Sequence, residues 1–235
     1  MANTYFQFKQ FRIDQRLAGM KVTTDACFFG SSFDPKPNSR ILDIGTGTGL
    51  LTLMSAQRSD SIIDAIEINQ DAFGQAKDNI NNSPWSKQIN LIHTSLQHFE
   101  SERLFDQIIC NPPFFVNSFK GSSKNKNQAL HAHSLSMEDL VSNVERLLSP
   151  NGEFWVMYPE KEMGLFIPIA SKFKLYPSSQ ITLRNKQDGP VFRNIMTFQK
   201  VQGNLKNVAD VYIKDFDGSY SKAFINVLKD FYLHL

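Results

Sequence analysis

Short apolar runs that suit buried strands alternate with longer helical patterns along most of this chain, from about residue 40 to about residue 175. Alternation at this short spacing favours a parallel sheet that carries helices on both faces. The last two strand-like runs, "SSQITLRN" and "NIMTFQKV", are joined by the turn-rich "KQDGPVFR", which leaves no room for a helix. Consecutive strands without a crossover helix pair antiparallel. The sequence therefore predicts an α/β fold with a mixed sheet that ends in an antiparallel edge.

Several segments carry more detailed expectations. The helix "SMEDLVSNVERLL" places four apolar residues on one face, namely Leu140, Val144, Leu147 and Leu148, and Ser136 can cap its first turn. Another helix, "KEMGLFIPIASKF", contains Pro168, which favours a break in that helix. The final "SYSKAFINVLKDFYLHL" can close the chain as an amphipathic helix. The aromatic stretch "TYFQFKQF" either packs on the core or stacks on nucleic-acid bases, and we favour packing.

The composition limits the class of protein. The chain has 235 residues, of which 41% are apolar, and its net charge is +2. It contains neither a run of roughly 18 apolar residues nor the apolar part of a signal peptide, so we expect a cytoplasmic protein without membrane contact. Cys27 and Cys110 lack metal-like spacing and are expected to be buried, reduced thiols. We predict a single domain over 1–235, with an N-terminal capping segment (1–39), a core (40–201) and a C-terminal extension (202–235).

The segment "LDIGTGTGLL" follows the first strand of the alternating region. Its glycines, Gly45, Gly47 and Gly49, permit a tight turn and the close approach of a ligand to the backbone. Their spacing differs from the dinucleotide fingerprint, and no Gly-Lys-Ser/Thr follows as in a phosphate loop. Asp43 would repel a pyrophosphate but suits a cationic ligand. Glu67 ends the second strand, 22 residues after Gly45, where an acidic side chain can accept both hydroxyls of a ribose.

The glycine turn and Glu67 together predict a ribose-containing ligand at the carboxyl ends of the strands, where open α/β sheets bind their ligands. Each feature alone has an ordinary structural explanation, as a tight turn or a surface charge. The end of the third strand offers a rim for an adenine, formed by Thr94, Ser95 and Leu96.

The segment "CNPPFF" stops the buried-strand run "FDQIIC", because two adjacent prolines suit neither a strand nor a helix. The amide oxygen of Asn111 and the carbonyl of Pro112 can accept two hydrogen bonds from one NH2 group, and Phe114 offers a ring face to a planar base. Two such acceptors favour the pyramidal form of a conjugated amine, whose lone pair can then point at an electrophile. The methyl group of S-adenosylmethionine is that electrophile, since its sulfonium is cationic and its ribose fits Glu67. The predicted catalytic set is Asn111, Pro112, Pro113 and Phe114.

Five stretches resemble the bacterial tRNA1(Val) adenine N6-methyltransferases, which belong to the class I S-adenosylmethionine-dependent methyltransferases: "FRIDQRLAGMKVTTDACFFGSSF", "ILDIGTGTGLL", "AIEIN", "FDQIICNPPFF" and "HSLSMEDLVSNVERLLSPNGEFWVMYP". The resemblance runs from about residue 6 to about residue 200. It implies a Rossmann-like seven-stranded fold, S-adenosylmethionine as cofactor, and methylation of N6 of the adenine next to the anticodon, adenine 37. It assigns to the cofactor Thr24, Asp25, Asp43, Gly45, Thr46, Gly47, Gly49, Glu67, Ile68, Ser95, Leu96 and Asn111.

For the substrate, the resemblance implies a tRNA of the valine isoacceptor, bound without a metal by a monomer or weak dimer. The residues that we expect to contact RNA are Phe114, Phe115, Lys120, Lys124, Lys126 and Arg193. Without the resemblance, the lysine-rich "KGSSKNKN" is equally a solvated loop, "TTDAC" an ordinary helix cap, and Arg193 a residue on the sheet edge. Leu130 stands where family members tend to carry an arginine, which leaves the RNA contact there open. His131 and His133 have no carboxylate or cysteine companion and make a poor metal site.

Other functions share parts of this pattern. A glutamine N5-methyltransferase of release factors uses similar Asn-Pro-Pro-Tyr chemistry but has a long helical domain before the first strand, where this chain has only about 40 residues. A guanine N2-methyltransferase of ribosomal RNA is usually longer, and its motif continues Phe-His where this chain has Phe115. A DNA adenine methyltransferase needs a target-recognition domain, and none is visible. The non-enzymatic alternative is a methyltransferase-like fold that binds a nucleotide without turnover.

Overall fold

A computed structural model describes residues 3–17, 20–113 and 135–235. In chain order the strands in these ranges are β1 (Tyr5–Gln7), β2 (Arg12–Asp14), β3 (Arg40–Ile44), β4 (Ile62–Glu67), β5 (Ile89–His93), β6 (Phe105–Cys110), β7 (Leu148–Tyr158), β8 (Tyr176–Lys186), β9 (Val191–Gln199) and β10 (Lys206–Lys214). The helices are α1 (Thr24–Ser32), α2 (Leu50–Ala56), α3 (Gln70–Asn81), α4 (Met137–Leu147), α5 (Glu160–Lys172) and α6 (Lys222–Leu228). Short 3-10 turns cover Ser86–Gln88 and Leu96–His98. This order confirms the predicted alternation of strands and helices.

The strands from β3 onward form one eight-stranded sheet in the order β10-β8-β9-β7-β6-β3-β4-β5. Among the described strands of this sheet, neighbours run parallel except where β9 pairs with β7 and with β8. β1 and β2 form a separate antiparallel pair. Helices pack on both faces of the large sheet, so the predicted α/β class and the antiparallel pairing of β8 with β9 are confirmed.

The expected count of seven strands is wrong by one, and the antiparallel strand does not lie at the edge. β9 is inserted between β7 and β8, and β10 adds an eighth strand that runs parallel to β8. The sequence of β10, "KNVADVYIK", buries Val211 and Ile213 in the first core and leaves four of its nine residues exposed. An edge strand faces solvent along one side and needs no continuous apolar run. Asp210 interrupts the apolar residues of this run, and the sequence pattern did not predict a strand in the C-terminal extension.

Two hydrophobic cores lie on opposite faces of the sheet, because successive side chains of a strand point to opposite faces. On β3, Ile41 packs in one core and its neighbour Leu42 in the other. The first core takes in residues of α1, α2, α3 and α6, and the second core takes in residues of α4 and α5. The sheet is therefore covered on both faces, and its strand ends are the place where a ligand can reach it.

The helices of the second core test two expectations. α4 is capped by Ser136, whose side chain accepts a hydrogen bond from the Asp139 N–H at 3.0 Å, and its predicted apolar face is buried. α5, by contrast, passes through Pro168 without a break, so that expectation is wrong. Proline removes a backbone hydrogen bond and costs a helix interior about 3 kcal/mol. Phe166 and Ala170 on either side of Pro168 are fully buried, and their packing outweighs this loss.

The N-terminal and C-terminal segments meet on the first core. The C-terminal helix is shorter than predicted, but its Phe224 stacks on Phe28 of α1, with ring centroids 5.9 Å apart and an angle of 6° between the rings. Phe8 pairs with Tyr232 in an isolated antiparallel bridge. These contacts favour the predicted single domain, whose segment boundaries stay a prediction.

The N-terminal aromatic residues pack on the core, which is the alternative that the sequence favoured. Phe8 is fully buried and stacks on Phe11 with ring centroids 4.5 Å apart, and both belong to the first core. Tyr5 is exposed, and the Arg12 guanidinium lies 3.9 Å from the centre of its ring. Packing is therefore confirmed for the two inner rings of this stretch.

Two further expectations concern the state of the cysteines and the length of the helices. Cys27 and Cys110 are buried free thiols, as predicted. Burial raises the pKa of Cys27 to about 12 and the pKa of Cys110 well above its ordinary value, so neither thiol ionises readily near neutral pH. No helix in the described ranges is both long and apolar enough to cross a membrane.

We expect Phe8→Ala to lower the free energy of unfolding by about 3–5 kcal/mol, because it empties a fully buried aromatic position in the first core. Phe216→Ala is the matched control, since the same change is made at a side chain that is 80% exposed. The control should change stability by less than about 0.5 kcal/mol. Urea denaturation followed by tryptophan fluorescence measures both variants. Wild-type stability in Phe8→Ala would contradict the packing described for this segment.

Candidate active site

The carboxyl ends of three central strands meet at one edge of the sheet. Ile44, the last residue of β3, is in register with the residues that precede Glu67 on β4 and Asn111 after β6. Gly45, Glu67 and Asn111 therefore lie in a row, with about 10 Å, or two strand spacings, between the outer two. The order of the strands reverses between β3 and β6, and open α/β sheets bind ligands at such a point.

The turn after β3 is shaped by left-handed backbone. Gly45, Gly47 and Gly49 have φ angles of 69°, 60° and 86°, a region that residues with a Cβ rarely adopt. The N–H groups of Gly45 and Thr46 both donate to the Ile66 carbonyl, at 2.9 and 3.0 Å. Apart from chain neighbours, no described atom lies within 4 Å of the point where a Cβ on Gly45 or Gly47 would stand. The turn is held by hydrogen bonds, and open space lies over two of its glycines.

Glu67 fastens the glycine turn to the loop after β4. Its Oε2 accepts the Gly47 N–H at 2.9 Å, and its Oε1 accepts the Asn69 N–H at 2.8 Å. The side chain is nearly buried, and each carboxylate oxygen still has a second lone pair. These lone pairs can accept the two hydroxyls of a ribose. That role, which the sequence predicted for Glu67, stays a prediction.

Asp43 lies on β3 and is fully buried. Its Oδ2 accepts a hydrogen bond from the Thr52 hydroxyl at 2.6 Å, and that hydroxyl lies 2.9 Å from the hydroxyl of Thr46. Its Oδ1 has no hydrogen-bond partner in the described part of the chain. Burial raises the pKa of Asp43 to about 6, against the opposing effect of the bond from Thr52. Sequence reasoning missed Thr52, because a threonine in an apolar helix carries no signal of such a contact.

The predicted Asn-Pro-Pro stop directly follows β6. The oxygen Oδ1 of Asn111 is buried and finds no hydrogen-bond partner among the residues that the structure describes. Folded proteins rarely leave a buried polar oxygen unpaired, and a ligand is one explanation. Pro112 is buried and Pro113 is exposed. Outside the described residues lie the other predicted or discussed positions Phe114, Phe115, Lys120, Lys124, Lys126, Leu130, His131 and His133.

A cavity of about 620 Å³ lies beside Asn111, and its lining includes Thr24 and Asp25 at the start of α1 and Arg193 of β9. The Nε of Arg193 donates to Oδ2 of Asp25 at 2.7 Å, and both side chains are mostly buried. The fold thus brings these predicted residues together from distant parts of the chain. α1 is capped by Thr23, the first residue of "TTDAC", and not by Thr24 or Asp25, which the helix-cap alternative named. The predicted contact of Arg193 with RNA stays a prediction.

The residues at and near the predicted rim for an adenine differ in their exposure to solvent. Leu96 is buried in the second core, so its side chain faces away from solvent. Ser95 is half-buried, with its hydroxyl 3.2 Å from Nδ1 of His98. Ile68, the residue after Glu67, is 50% exposed and offers an apolar surface to a flat base. The side chains of Ile68 and Ser95 are therefore accessible to a ligand, whereas Leu96 can contribute only its backbone, and the adenine contact stays a prediction.

The far wall of the cavity comes from segments that the sequence did not assign to a site. Lys186 and Lys214 are the last residues of β8 and β10, and both line the cavity. Phe192 and Tyr220 add two aromatic rings to the same wall. No local signal identified these residues, because their proximity to Asn111 depends on how the last strands join the sheet.

The fold and the row of strand ends define a class of protein, the Rossmann-like methyltransferases. A sequence profile of the methyltransferase small domain matches residues 21–176. Among solved structures, a predicted O-methyltransferase of Agrobacterium tumefaciens aligns with a TM-score of 0.69 at 14% identity, over 87% of this chain and 95% of its own. A glycopeptide N-methyltransferase in complex with S-adenosyl-L-methionine aligns with a TM-score of 0.57 at 10% identity, over 76% and 93%. At these identities the likeness shows the fold alone.

The sequence is also similar, along nearly its whole length, to proteins named tRNA1(Val) (adenine(37)-N6)-methyltransferase. The protein of this name from Dyadobacter fermentans is 42% identical over 235 residues, which cover 98% of each chain. That from Flavobacterium psychrophilum is 37% identical over 98% of this chain and 100% of its own, and that from Shewanella loihica is 34% identical over 98% and 99%. The chain belongs to the methyltransferase small domain family and, within it, to the family that carries this name, which confirms the resemblance seen in the sequence.

The buried carboxyl of Asp43 predicts a pH dependence of stability. Its pKa of about 6 in the folded protein lies above the value of about 3.9 for an unfolded aspartate, so the folded state holds the proton more tightly. This contribution to stability is complete below about pH 4 and is lost as the pH rises through 6. Over that pH range the free energy of unfolding of the wild type should fall by on the order of 2–3 kcal/mol relative to that of Asp43→Asn, which has no carboxyl to ionise.

Urea denaturation of both proteins at pH 4 and pH 7.5 measures this difference. Asp188→Asn, at an exposed turn, is the matched control and should follow the wild type. If the stabilities of the wild type and Asp43→Asn change in parallel with pH, Asp43 does not have the raised pKa described above.

Proposed function

We propose that this protein is an S-adenosylmethionine-dependent enzyme that transfers a methyl group to the exocyclic N6 of adenine 37 in tRNA1(Val). Relatives that carry this name are 34–42% identical over nearly the whole chain, which supports the proposed reaction. The observation that carries the chemistry is the buried oxygen of Asn111, which lacks a hydrogen-bond partner among the described residues. An amino group is a donor that can pair with such an oxygen.

The residues at the strand ends fit S-adenosylmethionine, which supplies an electrophilic methyl group on a cationic sulfonium. In our proposal Glu67 accepts the ribose hydroxyls with the lone pairs that Gly47 and Asn69 leave open. The glycines allow the ligand to approach the backbone closely. Asp43, when ionised, places a negative charge behind the turn and favours a cation nearby. Further contacts that we assign to the cofactor come from Thr24, Asp25, Thr46, Ile68, Ser95 and the backbone of Leu96.

Asn111 and Pro112 prepare the target amine in this proposal. The amide oxygen of Asn111 and the carbonyl of Pro112 accept the two N–H bonds of the N6 amino group. A conjugated amino nitrogen is a poor nucleophile because its lone pair is delocalised into the ring. Two fixed acceptors favour the pyramidal nitrogen and orient its lone pair, which lowers the barrier through positioning and preorganised dipoles. No strong base is needed, because the alkylated nitrogen is acidic and loses its proton to water.

An anticodon loop suits such a site because its bases are unpaired. Presenting one of them to Asn111 costs little compared with flipping a base out of a duplex. We further propose that the protein acts in the cytoplasm as a monomer or weak dimer, without a metal. We also propose that 1–235 folds as a single domain, which the place of β10 in the main sheet supports.

Incubation of total tRNA with labelled S-adenosylmethionine, followed by nucleoside analysis, tests the proposed reaction. The wild type should place N6-methyladenosine in one tRNA. Asn111→Ala should lower turnover by about 100-fold or more, because it removes an acceptor that acts on the reacting nitrogen. Asn204→Ala, in an exposed loop, is the matched control and should keep full turnover.

The pattern of labelling separates the alternatives. Label in a protein favours a glutamine-directed enzyme, and label in guanine of ribosomal RNA favours the N2-directed type. Full turnover by Asn111→Ala would remove the basis of the proposed mechanism.

Glu67→Gln should weaken the binding of S-adenosylmethionine about 10- to 100-fold. The carboxylate offers two charged oxygens to the ribose hydroxyls, whereas the amide that replaces it is neutral and has only one acceptor oxygen. Isothermal titration calorimetry measures the dissociation constant directly. Glu102→Gln, at an exposed position, is the control and should bind as the wild type does. Thermal melting of the ligand-free proteins shows whether Glu67→Gln is as well folded as the wild type, so that a loss of affinity is not caused by unfolding. An unchanged dissociation constant would rule out the ribose contact.

A further inference from the structure

Two lysines stand side by side in the far wall of the cavity. Lys186 and Lys214 are register partners in the parallel pair of β8 and β10. Register partners on parallel strands project to the same face of the sheet, with about 4.8 Å between the strands. Both lysines line the cavity that Asn111 also lines. The fold therefore places two ammonium groups in the same cavity as the proposed target amine.

Neither lysine forms an ion pair in the described part of the chain. No carboxylate oxygen in residues 3–17, 20–113 or 135–235 lies within 4.0 Å of either ammonium group. Asp25, which lines the same cavity, is already in an ion pair with Arg193. Like charges on directly neighbouring strands destabilise a sheet. An anion from outside the chain would relieve this repulsion.

The aromatic residues of the wall hold its cations in place. The Nζ of Lys214 lies 3.5 Å from the centre of the Tyr220 ring, and Tyr220 stacks on the fully buried Phe224 at 5.1 Å. The guanidinium of Arg193 lies 4.0 Å from the centre of the Phe192 ring. Cations combined with aromatic rings in one groove are typical of surfaces that bind single-stranded nucleic acid, where the phosphates meet the charges.

We propose that Lys186 and Lys214 bind a backbone phosphate of the RNA while Asn111 holds the target adenine. This inference rests on the function proposed above and assigns part of the RNA contact to the C-terminal extension. Three strand spacings, about 14 Å, separate β6 from β8 across the sheet. The strand registers place Asn111 level with Ile181, so Lys186 also lies about 16 Å further along the strand direction. The phosphate therefore belongs to a nucleotide a few positions away from the target nucleotide.

The salt dependence of methylation measures this contact. Lys186→Gln and Lys214→Gln should each raise the KM for tRNA by roughly five- to tenfold, with kcat at saturating tRNA and the affinity for S-adenosylmethionine changed by less than about twofold. In the double variant the slope of log(kcat/KM) against log salt concentration should become less steep by about 0.7, as for the loss of one phosphate contact to a single strand. The double variant should also have a higher KM than either single variant.

Lys206→Gln is the matched control, because it removes the same charge from the exposed opposite end of β10. It should keep the KM and the salt slope of the wild type. Wild-type values in the double variant overturn the proposal. Equal losses in Lys206→Gln and in the cavity variants also overturn it, since they would reflect net charge and not a phosphate site.

Direct binding separates this inference from the proposed function. If the wild type methylates no tRNA, the proposed function fails, and fluorescence anisotropy with a labelled tRNA then tests the lysines alone. Weaker binding by the double variant supports the RNA contact, and undiminished binding overturns it. The double variant could also lose a saturable binding of inorganic phosphate while its binding of tRNA stays unchanged. In that case the two lysines bind a free anion, and the proposal is overturned as well.

Discussion

The site depends on the register between the three central strands β4, β3 and β6. Backbone hydrogen bonds between parallel strands decide which residues stand side by side, and here they bring Glu67, Gly45 and Asn111 into one row. A shift of one residue in either pairing would turn Glu67 or Asn111 to the other face of the sheet. It would also exchange the side chains that fill the two cores. Packing on both faces therefore protects the geometry of the strand ends.

The strand ends hold polar groups in an unfavourable state. In the described ranges, Asp43 and Asn111 supply two of the three buried side-chain atoms that have no hydrogen-bond partner. Each such atom costs on the order of 1–3 kcal/mol. Asp43 bears a further penalty, because burial raises its pKa to about 6 and disfavours its charge near neutral pH. Unpaired groups and a perturbed carboxyl at one edge of the sheet support the binding site that we propose there.

The last part of the chain shapes the far wall of the cavity. β10 lies at the edge of the sheet and packs Val211 and Ile213 in the first core, and α6 is anchored by the stacking of Phe224 on Phe28. This anchoring fixes Tyr220 and, through it, Lys214. In the proposed function, the extension therefore contributes to recognition of the RNA, whereas the central strands carry the cofactor and the chemistry.

The sequence by itself determined the features that depend on local periodicity and on residues with restricted backbone angles. These are the alternation of strands and helices, the glycine turn with its acidic partner, the Asn-Pro-Pro stop and the capped helix after Ser136. Only the tertiary structure decided the eighth strand, the unbroken helix at Pro168 and the burial of Leu96. It alone paired Asp25 with Arg193, which are 168 residues apart, and brought Lys186 beside Lys214. Local propensity carries no information about which distant backbones become neighbours, so these contacts exist only once the sheet is assembled.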